Sequence, residues 1–327
     1  MPGHDIIVVG TSSGGVEALR QLVTALPSDL PAALFIVLHR PPDQPSLLAE
    51  ILDSVSALPV ENAIDGAPIA AGRIYIAPPD RHLLLEREYI RLTSGPKENR
   101  FRPAIDPLFR SAAYTYDGRV IGVVLTGNLD DGTAGLWAIK DRGGIAIVQD
   151  PNEALYPSMP RTAMSQVAVD YCLPMRDIAP TLVTLSAQPA EGGAAVSERM
   201  KIETRIALEE NAIESGVMKL GTLSPFTCPE CHGILLQIQD GELIRFRCHT
   251  GHAYSINTLL NDVTESVEIG LWNALRAMDE NLLVLHHLAD HIVQQDDLVT
   301  SARIEQQAQE VRQRSQLVRQ ALRLRQE

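Results

Sequence analysis

Asp5-Ile6-Ile7-Val8-Val9-Gly10-Thr11-Ser12-Ser13-Gly14-Gly15-Val16-Glu17-Ala18-Leu19 runs four β-favouring residues into a turn of small residues and then an amphipathic segment. The pattern predicts a buried strand, a tight turn and a helix N-terminus. The first amides of a helix lack intrahelical partners and its dipole favours negative charge, so such a turn suits a bound phosphate or a developing oxyanion. Gly10, Gly14 and Gly15 fit the first use. Ser12, lifted clear of a sheet edge, fits the second as a nucleophile. A dinucleotide fingerprint needs Gly-x-Gly-x-x-Gly and an acid about 20 residues on, at the end of the second strand. Here the glycine spacing differs, and the second strand, Ala33–Leu38, ends in His39, a base. No Gly-Lys-Ser/Thr follows either, which excludes a P-loop.

Outward from this stretch, composition sets the bounds. A chain of 327 residues favours two domains, and 45% hydrophobic residues supply a real core. The longest apolar runs are too short to span a bilayer, and no charged segment with an apolar h-region opens the chain. A cytoplasmic protein without a membrane span is the expectation. A net charge of -13 disfavours nucleic acid as a partner. Of four cysteines three are clustered, which favours reduced thiols and a metal site over disulfides.

Residues 1–185 alternate short apolar strands with helical patterns, so an α/β domain with a parallel sheet is predicted. Helices are expected near Val16–Ala25, Gln44–Ser54, Asp106–Tyr114 and Gly132–Asp141, with strands at Arg73–Ala77, Val120–Leu125 and Ile145–Gln149. Leu83–Glu86 and Tyr89–Leu92 read as an antiparallel excursion. The stretch with Asp150, Pro151, Pro157 and Pro160 reads as a loop.

Ligands of parallel sheets sit beyond the carboxyl ends of the strands, where Ser12, His39 and the segment Asn128-Leu129-Asp130-Asp131-Gly132 should converge. Serine needs a base for its proton, and an acid behind the histidine fixes the tautomer. Each residue also has an ordinary use: Ser12 as an N-cap, His39 as a buried strand-end histidine, Asp130 and Asp131 as turn and cap.

Six separated motifs resemble one family. They are Gly10-Thr11-Ser12-Ser13-Gly14-Gly15, Leu38-His39-Arg40-Pro41-Pro42, Ile76-Ala77-Pro78-Pro79-Asp80, the run Arg102–Arg110, the run Leu125–Gly135, and Gln149-Asp150-Pro151 with Met159-Pro160-Arg161. In this order they are similar to the chemotaxis protein-glutamate methylesterases of the CheB type, over residues 3 to 185. The resemblance implies a doubly wound, Rossmann-like domain that hydrolyses γ-glutamyl methyl esters on the cytoplasmic helices of chemoreceptors, releasing methanol, with some members deamidating glutamine. It needs no cofactor for catalysis. Position by position it puts the nucleophile on Ser12, the base on His39 and the orienting acid on Asp131. Backbone N–H groups at Ser13 and near Asn128 are candidates for the oxyanion hole. The family's Met-Gly-Asn-Asp-Gly is replaced here by Asn128-Leu129-Asp130-Asp131-Gly132, so a different oxyanion loop is expected, and Asp130 stays an alternative to Asp131. With the nucleophile strand beginning at residue 5, an attached phosphorylatable receiver domain is not expected.

Residues 186–196 have linker composition, and a helix is expected from Ser197 to Ile213. Cys228-Pro229-Glu230-Cys231 and Cys248-His249-Thr250-Gly251-His252 flank a hairpin through Leu235–Ile238 and Leu243–Arg247. Cys228, Cys231, Cys248 and His252 make a closed tetrahedral set suited to structural zinc, with His249 or His232 as alternatives to His252. A similar module follows some stand-alone methylesterase domains. It is assigned residues 197–258. The tail, 259–327, reads as a helical hairpin turning near Gln294–Ser301: residues 261–300 hold eight acids and one Arg, residues 301–327 six Arg and three Glu. Apolar stripes run along both halves, Val263, Val267, Leu271, Leu275, Met278, Leu282, Leu285 and Ile292, then Ile304, Ala308, Val311, Val318 and Leu322. They suit a helical partner or self-association. Three functions fit the sequence: a methylesterase, an inactive adaptor, and a hydrolase of another ester.

Overall fold

All six residues of β1, Ile6–Thr11, are buried, because the strand lies inside a sheet covered on both faces. The computed structural model describes residues 3–41, 47–193, 195–209, 211–293 and 298–323. After β1 come α1 (Gly15–Thr24), β2 (Ala33–Leu38), α2 (Leu48–Asp53), β3 (Val60–Asn62), β4 (Arg73–Ile76), β5 (His82–Glu86), β6 (Tyr89–Thr93) and α3 (Ile105–Tyr116). Then follow β7 (Val120–Val124), α4 (Thr133–Asp141), β8 (Ile145–Gln149), α5 (Ser158–Gln166), β9 (Tyr171–Leu173), α6 (Met175–Ser186) and α7 (Glu198–Ala207). The chain continues through β10 (Thr222–Thr227), β11 (Ile234–Asp240), β12 (Leu243–Cys248), β13 (Ala253–Ser255), α8 (Ile256–Val293) and α9 (Leu298–Arg323).

Seven strands form one sheet in the order β3-β4-β2-β1-β7-β8-β9, with every neighbouring pair parallel. Alternate residues of β1 serve opposite faces, as strand geometry requires. Ile6 and Val8 pack with Leu108, Phe109 and Ala112 of α3 and Leu136 of α4, whereas Ile7 and Val9 pack with Leu19 and Leu22 of α1 and Ile178 and Leu182 of α6. The domain is therefore doubly wound, and β5 and β6 form the separate antiparallel pair. Among the helices α5 and α6 were unexpected; in α5, Pro160 falls in the first turn, where a missing N–H disrupts no intrahelical bond. The short strands β3 and β9 carry too few residues to announce themselves. Of the helix expected over Gln44–Ser54, the part from Leu48 to Asp53 is helical and residues 44–46 lie outside the described residues.

The chain divides into two units, Met1–Leu259 and Leu260–Glu327. In the first, the segment after α6 stays against the core: Pro189 bridges Gly3, and the His4 N–H donates to the Gln188 carbonyl. α7 is capped by Ser197, whose side chain accepts the Met200 N–H. It ends at Ala207 instead of reaching Ile213, with Glu209 at φ 69 beyond its end. Strands β10 to β13 make a four-stranded antiparallel ribbon. In the second unit α8 and α9 run antiparallel, with Arg319 pairing with Asp279 at 2.7 Å and Ser301 donating to the Ala289 carbonyl at 3.4 Å. Leu275, Ala289, Ala308 and Leu322 are buried between them, but Val263 and Val267 of the expected stripe are exposed. Residues 294–297 of the expected turn lie outside the described residues.

Candidate active site and metal centre

β2 and β7 flank β1 in parallel, so the carboxyl ends of all three face one edge. Ser12 follows β1 and its N–H donates to the Thr126 carbonyl at 3.0 Å; His39 follows β2 and its N–H donates to the Thr11 carbonyl at 3.2 Å. The structure brings Ser12, His39 and Asp131 together. His39 Nδ1 lies 3.2 Å from Ser12 Oγ, and Nε2 lies 2.7 Å from Asp131 Oδ2. An ionised carboxylate only accepts, so the network assigns the proton to Nε2 and leaves Nδ1 as the basic nitrogen before the serine. The imidazole thus relays through its nitrogens in the opposite sense from the serine-protease template, with the same roles available. The Phe101 ring stacks on it at 3.7 Å between centroids and 8° between planes.

Burial works against a charge on Asp131. The hydrogen bonds from His39, the Ile105 N–H at 2.7 Å and Asn99 Nδ2 at 2.9 Å nevertheless hold its carboxyl below the ordinary value. Asp106, buried beside it and bonded to Asn99 and the Gly135 N–H, is pushed well above the ordinary value, first by burial and then by the negative charge of Asp131. Asp130 faces elsewhere, accepting from Ser255, Asn257 and Thr258. Burial raises its carboxyl against the pull of those three bonds. Between the two adjacent acids, Asp131 meets the histidine.

Asn128 Nδ2 donates to Ser13 Oγ at 3.1 Å, so both expected oxyanion-loop residues border Ser12. Among the described residues the N–H groups of Ser13 and Asn128 carry no hydrogen bond. Gly127 lets this loop approach: a Cβ there would stand 2.0 Å from Met159 Sδ and 2.9 Å from Ser12 Cβ. Gly14, at φ 77, turns the chain into α1 behind the serine. A groove of about 590 Å³ opens over the site, lined by Ser12, Ser13, His39, Pro41 and Phe101, with Arg40, Lys97, Arg100 and Arg102 against one acid, Asp80.

In the ribbon, Cys228, Cys231, Cys248 and His252 converge with their ligand atoms all within 4.8 Å of one another. The separations are 3.7 Å from Cys228 Sγ to His252 Nδ1, 3.6 Å from Cys248 Sγ to His252 Nδ1 and 3.6 Å between the Cys231 and Cys248 sulfurs. Tetrahedral zinc with ordinary Zn–S and Zn–N lengths has edges of about 3.5–3.8 Å, so the donor set fits that ion. The hydrogen bond between Cys228 and Cys248 pulls the Cys248 thiol down and pushes the Cys228 thiol up, so the two share a proton that an ion binding both would displace. His232 and His249 are exposed and outside the cluster.

A buried ion network joins ribbon to core. Glu98 accepts from Arg110 at 2.6 Å and from Arg247 at 2.9 Å, and Glu203 of α7 accepts from Arg247 at 2.9 Å and Arg245 at 2.7 Å. Sequence reasoning missed Asn99, Phe101 and the Ser255–Thr258 segment as neighbours of the site. Asn99 and Phe101 directly precede the motif Arg102–Arg110, which was the one available signal; nothing local linked residues 255–258 to Asp130.

The family model for CheB methylesterase matches residues 7–182. A protein-glutamate methylesterase/protein-glutamine glutaminase of Moorella thermoacetica is 41% identical over 190 residues, covering 56% of this chain and 45% of that protein. A putative protein of the same name from Leptospira interrogans is 36% identical over 183 residues, covering 56% of this chain and 95% of its own. The crystal structure of the Thermotoga maritima CheB methylesterase catalytic domain aligns with a TM-score of 0.54 at 36% identity, over 57% of this chain and all of that domain (100%). The chain spans about half the length of the Moorella relative and of a similarly named relative from Anaeromyxobacter dehalogenans, 45% and 51% of them. Among the described residues no helix is long and apolar enough to cross a membrane.

Proposed function

Because this chain belongs to the CheB methylesterase family, we propose that it is a serine hydrolase of γ-glutamyl methyl esters on chemoreceptor helices, working in the cytoplasm. The observation that carries the reading is the relay from Ser12 through His39 to Asp131, at 3.2 and 2.7 Å, under an open groove. Ser12 Oγ attacks the ester carbonyl carbon while His39 Nδ1 takes the hydroxyl proton, and Asp131 stabilises the imidazolium. The tetrahedral oxyanion faces the Ser13 and Asn128 N–H groups, where one donor is worth about 3 kcal/mol of barrier. Collapse breaks the bond to the methoxy oxygen, which leaves as methanol with the proton from His39. Water then attacks the acyl-Ser12 ester, His39 taking one of its protons and returning it to Ser12 as the ester bond breaks, and the glutamic acid side chain loses its remaining acidic proton to solvent and leaves as a carboxylate. With a glutamine side chain the same steps release ammonia.

Arg40, Lys97, Arg100 and Arg102 give the groove a largely cationic lining, with Lys97 paired to Glu230 and Arg102 to Asp80, and this supports an acidic helical substrate. Zinc held by Cys228, Cys231, Cys248 and His252 would be structural: four protein ligands leave no position for water. The exposed apolar residues of α8, Trp272 and Leu283 among them, support a helical partner or a second copy for the second unit. The test is methanol release from a methyl-labelled chemoreceptor by the wild type and by Ser12→Ala. Release that depends on Ser12 upholds the esterase. No release from the wild type overturns this substrate and favours another ester, or an adaptor if Ser12→Ala is also silent in cells.

A further inference from the structure

Asp131 is held by residues of its own domain, one of which, Asn99, is in turn held by the ribbon. While Oδ2 receives His39 and the Ile105 N–H, Oδ1 receives Asn99 Nδ2 at 2.9 Å. Asn99 is itself fixed by the ribbon: its N–H donates to the Ala253 carbonyl at 2.8 Å, and its Oδ1 accepts the Ser255 N–H at 2.9 Å. The amide orientation is unambiguous, since Nδ2 meets the two carboxylates of Asp106 and Asp131 and Oδ1 meets a donor. The neighbouring Asp130 is gripped by the same segment. Ser255 Oγ and Thr258 Oγ1 donate to its Oδ1 at 2.6 and 3.2 Å, and Asn257 Nδ2 donates to its Oδ2 at 3.0 Å.

We propose that β13 and the first turn of α8 clamp the Asp130-Asp131 loop, with Asn99 as a positioning residue that turns the Asp131 carboxylate toward His39. The proposal rests on the Ser12, His39 and Asp131 reading above and assigns the ribbon a part in hydrolysis. Oδ1 otherwise receives only the Asp106 N–H, at a long 3.4 Å, so the 2.9 Å bond from Asn99 is its stronger tether, limiting rotation of the carboxylate and fixing Oδ2 before Nε2. Asp130 accepts one bond from Ser255 of β13, two from Asn257 and Thr258 of the first turn of α8, and none from His39, so the residue immediately before the catalytic acid is anchored at the junction of β13 and α8. The clamp also begins next to the thiol cluster, because His252 is the residue before β13.

The experiment uses the full chain and four variants, Asn99→Gly, Ser255→Ala, Ser255→Thr and Ser12→Ala. Glycine keeps the φ of 49 at position 99 while deleting the amide. Readouts are kcat and KM for p-nitrophenyl acetate and the rate at which a fluorophosphonate labels Ser12. A misplacement of the order of 1 Å costs about a hundredfold, so Asn99→Gly is expected to lower kcat and the labelling rate by about tenfold to a hundredfold with KM within about twofold. Ser255→Ala should lower them by a few fold, and Ser255→Thr, which keeps the hydroxyl, should restore them. Folded Asn99→Gly and Ser255→Ala proteins with unchanged kcat overturn the clamp while a dead Ser12→Ala upholds the triad. If Asn99→Gly does not fold, the Ser255→Ala and Ser255→Thr pair decides. Activity surviving in Ser12→Ala overturns the triad reading itself.

Discussion

Arg247 of β12 reaches Glu98 with an Nη2 to Oε1 distance of 2.9 Å, and the two side chains are only 1% and 3% exposed. This ion pair crosses from the ribbon to the loop that carries Asn99. Without Arg247, buried Glu98 keeps only Arg110 and Glu203 keeps Arg245 and Arg110, so Arg247→Met is expected to destabilise the first unit by about 1.5–3 kcal/mol, the loss of charged hydrogen bonds and not of a whole counter-charge. Chemical denaturation of the full chain measures it. A loss below about 1 kcal/mol would mean that solvent reaches the pair.

The same network sets the response to acid. Burial opposes the charge on Glu203, but Arg245, Arg110 and Arg247 hold its carboxyl well below the ordinary value, and Arg110 and Arg247 lower Glu98 likewise. A carboxyl depressed in the folded state contributes its full stability above the unfolded value, here 4.5, and loses it as pH falls from there through the folded value. Melting temperature should therefore drop below about pH 4.5, and Glu203→Gln should flatten that drop while lowering stability at neutral pH. Asp130 works in the other direction: its raised carboxyl recovers stability as pH falls through the raised value toward the ordinary one. A melting curve unchanged in acid by Glu203→Gln would refute the assignment.

The sheet was legible because β1, β2 and β7 are unbroken apolar runs, and such runs occupy central parallel strands. Strand-end placement then brought Ser12 and His39 to one edge without any knowledge of packing. The choice between Asp130 and Asp131 was beyond local pattern, since adjacent acids at a turn differ only in which way each side chain faces. Ser255 and Asn257 were out of reach for a stronger reason: they stand more than 120 residues from Asp130, at sequence separations of 125 and 127, and nothing periodic marks them. Pro160 misled because proline reads as a loop residue, whereas in a first turn it is compatible with a helix.

Phe101 packs its ring flat on His39 and also lines the groove. Such a stacked pair contributes about 0.5–1.5 kcal/mol beyond its buried area and fixes the plane of the imidazole. Phe101→Ala should thus lower kcat by about threefold to tenfold and raise KM, whereas His39→Gln should remove activity by on the order of 10⁴ with the fold intact. Steady-state kinetics on the full chain separates the two. A Phe101→Ala enzyme with wild-type kcat would show that Asp131 and the backbone of β2 orient the ring unaided.

The thiol and imidazole cluster makes a prediction about both metal content and catalysis. Protein purified without chelator should carry one zinc per chain, and Cys228→Ser with Cys231→Ser should carry none. Zinc that binds only the folded ribbon stabilises by mass action, so its removal should lower the melting temperature by about 10 °C. Because β13 starts at Ala253, directly after His252, loosening the cluster also loosens the strand that holds Asn99. Chelation should therefore slow fluorophosphonate labelling of Ser12, and added zinc should restore it. Labelling that stays constant while zinc leaves would confine the metal to local stability, and a preparation with no bound metal would remove zinc from the ribbon altogether.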